Sequence, residues 1–344
     1  MKRSIKFAVL VLIAIAILWF FGRNLDWSAV RSSLAKANAV YITAAVLIIF
    51  VGYALRAKRW QVLLEPITET SFMELFATTT VGFAAVFLIG RAGEIVRPMW
   101  LPMRDKRVRP SAALVTLGVE RVFDLAALVT FFSVNLLWMK TPLGRENEMY
   151  AARYAGWVLL IGVVAGFAAL WIYHRKADWF IAFAEKHTDR KFVPRSLRRI
   201  FLSLMKQLAR SLDVLRDVRE VLEVCFWTIL LWLAIAIPTW LVIEAFDLRL
   251  GITGALFVMG WASIGSIVPT PGGAAGAFHA ATAGGLIVLN VAQESAAAVS
   301  IVMHLVYFAP AVVFGVYYFL KGDLNFEGVR NLMSTETAFS EEVT

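Results

Sequence analysis

The chain is poor in the residue types from which most sites are built. Its single cysteine, Cys225, excludes an intramolecular disulfide and any cysteine-rich metal site. There are four histidines, and no second histidine or cysteine stands at metal-ligand spacing from His279. The sequence holds no HExxH, no DxD-type run, no Ser–His pair on one helix face and no Walker lysine. It therefore nominates no catalytic residues, no metal and no cofactor, and the chain is expected not to be an enzyme. Charge is scarce too: Asp, Glu, Lys and Arg make up 17% of 344 residues. What is abundant is apolar surface, with 60% hydrophobic residues and a mean hydropathy of +0.70. That composition excludes an ordinary soluble domain and indicates a polytopic membrane protein. A net charge of +9 then reads as basic loops against an anionic membrane surface, with no call for nucleic acid.

Six apolar runs approach or exceed the length needed to cross a bilayer: Ile5–Phe21, Val40–Leu55, Ala112–Met139, Ala155–Tyr173, Val224–Ile243 and Ala296–Leu320. The first begins with Lys2, Arg3 and Lys6 and lacks a small-x-small cleavage pattern, so it reads as an uncleaved span. The segment NLDWSAVRSSLAKAN that follows reads as an interfacial helix anchored by Trp27. Basic clusters set the orientation. RAKRW, with Arg56, Lys58, Arg59 and Trp60, is expected at the inner surface, as is RDKRVRP at 104–110. Twelve Lys/Arg face six acids between Arg175 and Glu220, a net of +6 that also belongs inside. In that loop Leu197, Phe201, Leu204, Leu208, Leu212 and Leu215 form the apolar face of an amphipathic helix, lying on an anionic leaflet or packed on the protein's own loops.

These placements leave two apolar stretches whose ends lie on the same side. Phe72–Leu101 starts and ends inside, and Gly251–Asn290 starts and ends outside. Each is expected to be a re-entrant helical hairpin, the first turning near Gly90–Gly93 and the second at PTPGG. The fold class is thus an all-α polytopic membrane protein of about six full spans plus two oppositely directed re-entrant hairpins. Residues 1–321 form one transmembrane unit, 174–222 its cytoplasmic basic loop, and 322–344 a flexible tail. Both termini are expected on the cytoplasmic side of an inner membrane.

Three groups stand out against this apolar background. Arg91, Glu94 and Arg97 sit in VFLIGRAGEIVRPMWL, and Glu120, Arg121 and Asp124 in LVTLGVERVFDLAAL. Glu120 lies eight residues after Ala112, about 12 Å into its helix at 1.5 Å per residue. Glu120 and Asp124 share a helix face, and two acids in lipid need cations, which Arg91, Arg97 or Arg121 can supply. The two groups are therefore expected to meet, either as a substrate site or as a structural clamp between helices. The third group is Pro269, Pro271, Gly272 and Gly273, with His279 beyond them. The prolines break a helix, and freed amides around Ala274–Ala277 would offer a positive end to a phosphate or carboxylate. A kinked helix with small residues for close packing fits the same pattern.

RAGEIVRPMWL, ERVFDLAAL and PTPGGAAGAF, with RAKRW upstream, resemble in type and order the lysylphosphatidylglycerol synthase transmembrane family, also called flippase-like, over roughly residues 5–320. The resemblance implies a multi-pass inner-membrane protein that moves a phospholipid or other phosphate-bearing lipid across the bilayer. It directs attention to Arg91, Glu94, Arg97, Glu120, Arg121, Asp124, Pro269, Pro271, Gly272 and Gly273 as substrate-binding residues. Many relatives carry an acid where this chain has His279. The aminoacyl-transferase domain of full-length synthases lies outside these 344 residues, so lipid lysylation is not expected. The alternatives are an intramembrane enzyme acting on a lipid head group and a non-transporting subunit, with a homo-oligomer or a separate lipid-modifying enzyme as partner.

Overall fold

The computed structural model describes residues 25–188 and 218–321, together with 19, 23, 198, 201, 202, 205, 206 and 209. The first span, the 322–344 tail and most of the 197–215 amphipathic helix lie outside the described residues. Within them the chain is helical and contains no strand. In order come α1 (Trp27–Lys36), α2 (Ala39–Leu64), α3 (Phe72–Ile89), a 3-10 turn (Gly90–Ile95), α4 (Val96–Arg104), α5 (Pro110–Trp138), α6 (Glu146–Arg175), α7 (Ala177–Thr188), α8 (Val218–Ala245), α9 (Gly251–Gly265), α10 (Pro271–Val288) and α11 (Gln293–Lys321). Five helices, at Ala39–Leu64, Phe72–Ile89, Met149–Arg175, Arg219–Ala245 and Gln293–Lys321, are long and apolar enough to cross a membrane. The chain is an all-α polytopic membrane protein.

Local chemistry sets the ends of these helices. Asp26 caps α1 by accepting from the Ser28 and Ala29 amides at 2.9 and 3.2 Å. Asn38 caps α2 through the Val40 amide, and its own amide donates to the Ala245 carbonyl at 2.8 Å. That bond fixes the start of α2 to the end of α8. Further along, a Cβ on Gly52 would lie 3.7 Å from Ala234, and Arg59 donates to Thr228. The two helices therefore run antiparallel along their length.

The α2 helix continues to Leu64, nine residues past the expected exit at Leu55. Within RAKRW, Arg59 and Trp60 are both 0% exposed, and Arg56 and Lys58 are partly buried. The helix period turns Arg56 and Arg59 toward Asp124 of α5.

Both broken stretches fold as hairpins. In the first, Arg104 of α4 grips Glu74 of α3 through two bonds of 2.8 and 2.9 Å, so its two ends lie level. Toward the tip, Arg97 packs against Gly82, and a Cβ on Gly93 would fall 2.3 Å from the Ala85 carbonyl carbon. Only glycine lets the 3-10 turn lie on the α3 backbone this closely. In the second hairpin, Leu289 at the far end reaches Gly254, while Gly265 near the tip meets the Ala277 carbonyl.

Helix α11 is the spine between them. Tyr318 near its C-terminus donates to the Met73 sulfur, and Gly315 lies against Thr80 and Ala84. At its middle, Phe308 meets Phe87 on one side and Gly273 on the other. Near its start, Ala297 and Ala298 pack with Leu25 and Val30. The first hairpin thus occupies the C-terminal half of α11 and the second the N-terminal half, and the tips meet midway. There Arg91 donates to the Ser266 carbonyl through Nε at 3.0 Å and Nη2 at 2.7 Å.

Candidate functional site

Where the tips meet, the packing opens into a cavity of about 750 Å³. Its wall takes Gly52, Tyr53 and Arg56 from α2, Gly82 and Phe83 from α3, and Arg91, Glu94 and Arg97 from the first hairpin. Arg121 and Asp124 of α5, Ser263, Ser266, Thr270, Gly273 and Ala274 of the second hairpin, and Tyr307 and Phe308 of α11 complete it. Most of this surface is apolar, with charge concentrated beside α5.

The charges form one connected network. Arg97 donates to both oxygens of Glu120, at 2.9 and 3.2 Å, and its guanidinium lies 4.4 Å from the centre of the Trp60 ring. Trp60 in turn donates to Thr116 at 3.1 Å, and Thr116 to the Ala113 carbonyl at 3.0 Å. Arg59 donates to Asp124 at 2.7 Å and Thr228 at 3.2 Å, and lies 3.6 Å from Glu120. Arg121 donates to Glu120 at 3.0 Å and lies 3.6 Å from Asp124. Arg56 completes the set at 3.8 Å from Asp124 and 4.9 Å from the Phe83 ring. Four arginines thus converge on two carboxylates, an imbalance of two positive charges.

The arginines differ in how they are held. Arg59 and Arg97 are buried in bidentate or multiple short contacts, the geometry of a clamp joining α2, α4, α5 and α8. Arg56 touches Asp124 only at 3.8 Å, and Arg121 bonds Glu120 through Nη2 at 3.0 Å and lies 3.6 Å from Asp124; both line the cavity, as does Arg97. Arg91 is engaged by Glu94 and by Ser266 across the tips. The expected meeting of the RAGEIVR and ERVFD groups is therefore made by Arg97 and Glu120. Arg91 reaches the other hairpin instead.

At the second tip, the chain leaves the helical region altogether. Gly272, Gly273 and Ala274 have φ of 72, 63 and 61°. Glycines take this conformation freely, whereas Ala274 is held there by its surroundings. Gly273 lines the cavity; Pro269, Gly272 and His279 do not. His279 is buried behind the turn, 4.8 Å from the ring of His304. Arg56, Arg59 and His304 were not among the expected site residues. Only RAKRW carried a visible signal, because the apolar QVLL after it shows that the helix does not end there.

The two hairpins of this all-α membrane protein meet at their tips beside a largely apolar cavity that is charged along one side. A family model described as the lysylphosphatidylglycerol synthase TM region matches residues 7–315, and the chain belongs to that family. It is also 25% identical over 280 residues to a UPF0104 membrane protein of Methanothermobacter thermautotrophicus, covering 78% of this chain and 81% of that protein.

Proposed function

We propose that the protein is a lipid translocator, not an enzyme: a phosphate-bearing lipid of the cytoplasmic membrane places its head group in the cavity between the hairpin tips and leaves toward the other leaflet. The observation that carries this reading is the pair Arg56 and Arg121, two cations lining a cavity of about 750 Å³ beside an uncompensated charge of two, Arg56 held only at 3.8 Å from Asp124 and Arg121 bonded through Nη2 to Glu120. A phosphate placed between them would supply the missing negative charge through charge-assisted bonds. The family is named for the membrane region of an enzyme of lysylphosphatidylglycerol, which fits a phospholipid as cargo. In this reading both hairpins are re-entrant, the basic loops face the cytoplasm, and Arg91 on Ser266 closes the tips between transport events. No nucleotide motif is present in the sequence, so a gradient, the lipid's own imbalance or a partner drives net movement.

The test is purified protein in phosphatidylcholine liposomes containing phosphatidylglycerol with a fluorescent head group, quenched from outside by dithionite. Translocation exposes inner-leaflet label, so quenching goes beyond the outer-leaflet fraction seen in empty liposomes. Quenching identical to empty liposomes, with protein shown to be folded and inserted, would overturn the proposal.

A further inference from the structure

A second buried polar group lies behind the cavity wall. His279 on α10 and His304 on α11 place their ring centroids 4.8 Å apart, and both are buried. Nε2 of His304 is 3.3 Å from the Gly273 carbonyl oxygen. A carbonyl only accepts, so this nitrogen carries the hydrogen, and a further proton would add at Nδ1. Three phenyl rings surround His304: Phe308 at 5.0 Å, Phe278 at 5.1 Å and Phe87 at 5.9 Å. Ring faces at this range attract a cation, so the box can hold an imidazolium without a carboxylate beside it.

The groups that face the pair come from every packed element. Phe278 stands on α10, Tyr307 and Phe308 on α11, and Phe87 on α3. At the hairpin tips, Arg91 of the 3-10 turn is engaged by Glu94 and by the Ser266 carbonyl. His279 is itself bonded to the Ala275 backbone. Two imidazoliums at this separation repel, so the pair takes one proton and resists a second.

Geometry ties that proton to the cavity. Gly273 accepts from His304 and, with Ala274, forms the left-handed turn that walls the cavity. Tyr307 and Phe308, within a turn of His304, line it too. A charge on His304 strengthens its bond to the turn. An anion beyond the turn favours that charge.

We infer that His279 and His304 form a proton-binding site coupled to the cavity, taking up one proton when an anionic lipid head group enters and releasing it when the head group leaves. This rests on the lipid-translocator reading and adds a coupling ion to it. The sign follows from linkage: an anion that raises proton affinity must itself bind more tightly when the pair is protonated. Head-group affinity is therefore highest at low pH and falls as pH rises through the titration of the pair.

The experiment is calorimetric binding of dihexanoyl phosphatidylglycerol to the purified protein, in two buffers of different ionisation enthalpy. The phosphodiester does not titrate near neutrality, so any proton taken up belongs to the protein. The wild type is expected to take up as much as about one proton per lipid bound. His304→Gln can still donate to the Gly273 carbonyl but cannot hold the proton, so uptake falls to zero while lipid still binds. His279→Gln leaves His304 able to take the single proton, so uptake persists. Uptake identical in wild type and His304→Gln overturns the coupling, as does lipid binding with no uptake in the wild type. Failure of the wild type to bind the lipid at any pH overturns the cavity reading itself, and the coupling with it. If His304→Gln does not fold, ¹⁵N-imidazole spectra of the wild type decide: His304 must change charge state on adding lipid, and unchanged shifts reject the site.

Discussion

Arg97 and Glu120, twenty-three residues apart, face each other through two bonds of 2.9 and 3.2 Å in a pocket where Glu120 is wholly buried. Arg59 approaches the same carboxylate at 3.6 Å from a third helix, and Arg121 at 3.0 Å from the next position on α5. One glutamate thus holds three guanidiniums in place. Without its charge, they would repel one another in surroundings too dry to screen them.

Glu120→Gln is therefore expected to be among the most damaging single changes in the described chain. Removing one member of a buried ion pair costs about 3–5 kcal/mol. The measurement is melting temperature in detergent, compared with Glu69→Gln on an exposed loop. A melting temperature equal to wild type would show that the cluster does not hold the helices together.

Gly82 tests the same cluster without touching a charge. A Cβ there would fall 2.2 Å from Cγ of Arg97, in the middle of a side chain pinned at its far end by Glu120 and Trp60. Gly82→Ala should therefore push Arg97 off Glu120 and lower the melting temperature. Gly162→Ala, at a helical position with nothing within 4 Å, is the matched control and should be neutral or slightly stabilising. Equal behaviour of the two variants would mean that Arg97 can move without cost.

Much of this was legible in the sequence. Basic clusters at 104–110 and beyond Arg175 marked which helix ends lie together, and the glycines of GRAGE and PTPGG marked the turns. Two acids spaced i,i+4 in an apolar helix demanded cations, and Arg97 supplies one. What stayed hidden was chosen by contacts between distant segments. Arg59 read as a boundary residue because charge in a short window does not show which way a longer helix turns it. His304 sits in the apolar run SIVMHLVYFAP, and only packing against α10 gives it a partner. The Arg91–Ser266 contact joins residues 175 positions apart, so no local pattern could announce it.

The proposed re-entrant topology makes a labelling prediction. Cys225 is the only cysteine, so Cys225→Ser gives a clean background. Glu69→Cys and Lys106→Cys flank the first hairpin, and Ile252→Cys and Ala292→Cys flank the second; all four positions are exposed. A membrane-impermeant maleimide should label the first two from one face and the second two from the other. Labelling of positions 69 and 106 from opposite faces would mean that the first hairpin crosses the bilayer, which α3 alone, at 18 residues, is long enough to do.

The four arginines of the network should separate into two kinds under the same substitution. Lysine keeps the charge but loses the planar fork that grips two oxygens at once. Arg97 uses that fork on Glu120, and Arg59, wholly buried, bonds Asp124 and Thr228 through Nη1 with Glu120 at 3.6 Å, so Arg97→Lys and Arg59→Lys should lower the melting temperature. Arg56 lies 3.8 Å from Asp124 and Arg121 bonds Glu120 through Nη2 alone; both line the cavity, so Arg56 and the rest of the Arg121 fork are available to a phosphate. Arg56→Lys should leave melting nearly unchanged, Arg121→Lys should lower it less than Arg97→Lys because only one bond to Glu120 is at stake, and both should weaken phosphatidylglycerol binding roughly tenfold, the effect of one lost charge-assisted bond. Both quantities are read on the same purified variants. If all four lysine variants lost stability alike and bound lipid as the wild type does, the arginines would be a helix clamp throughout. The phosphate would then have to bind elsewhere in the cavity.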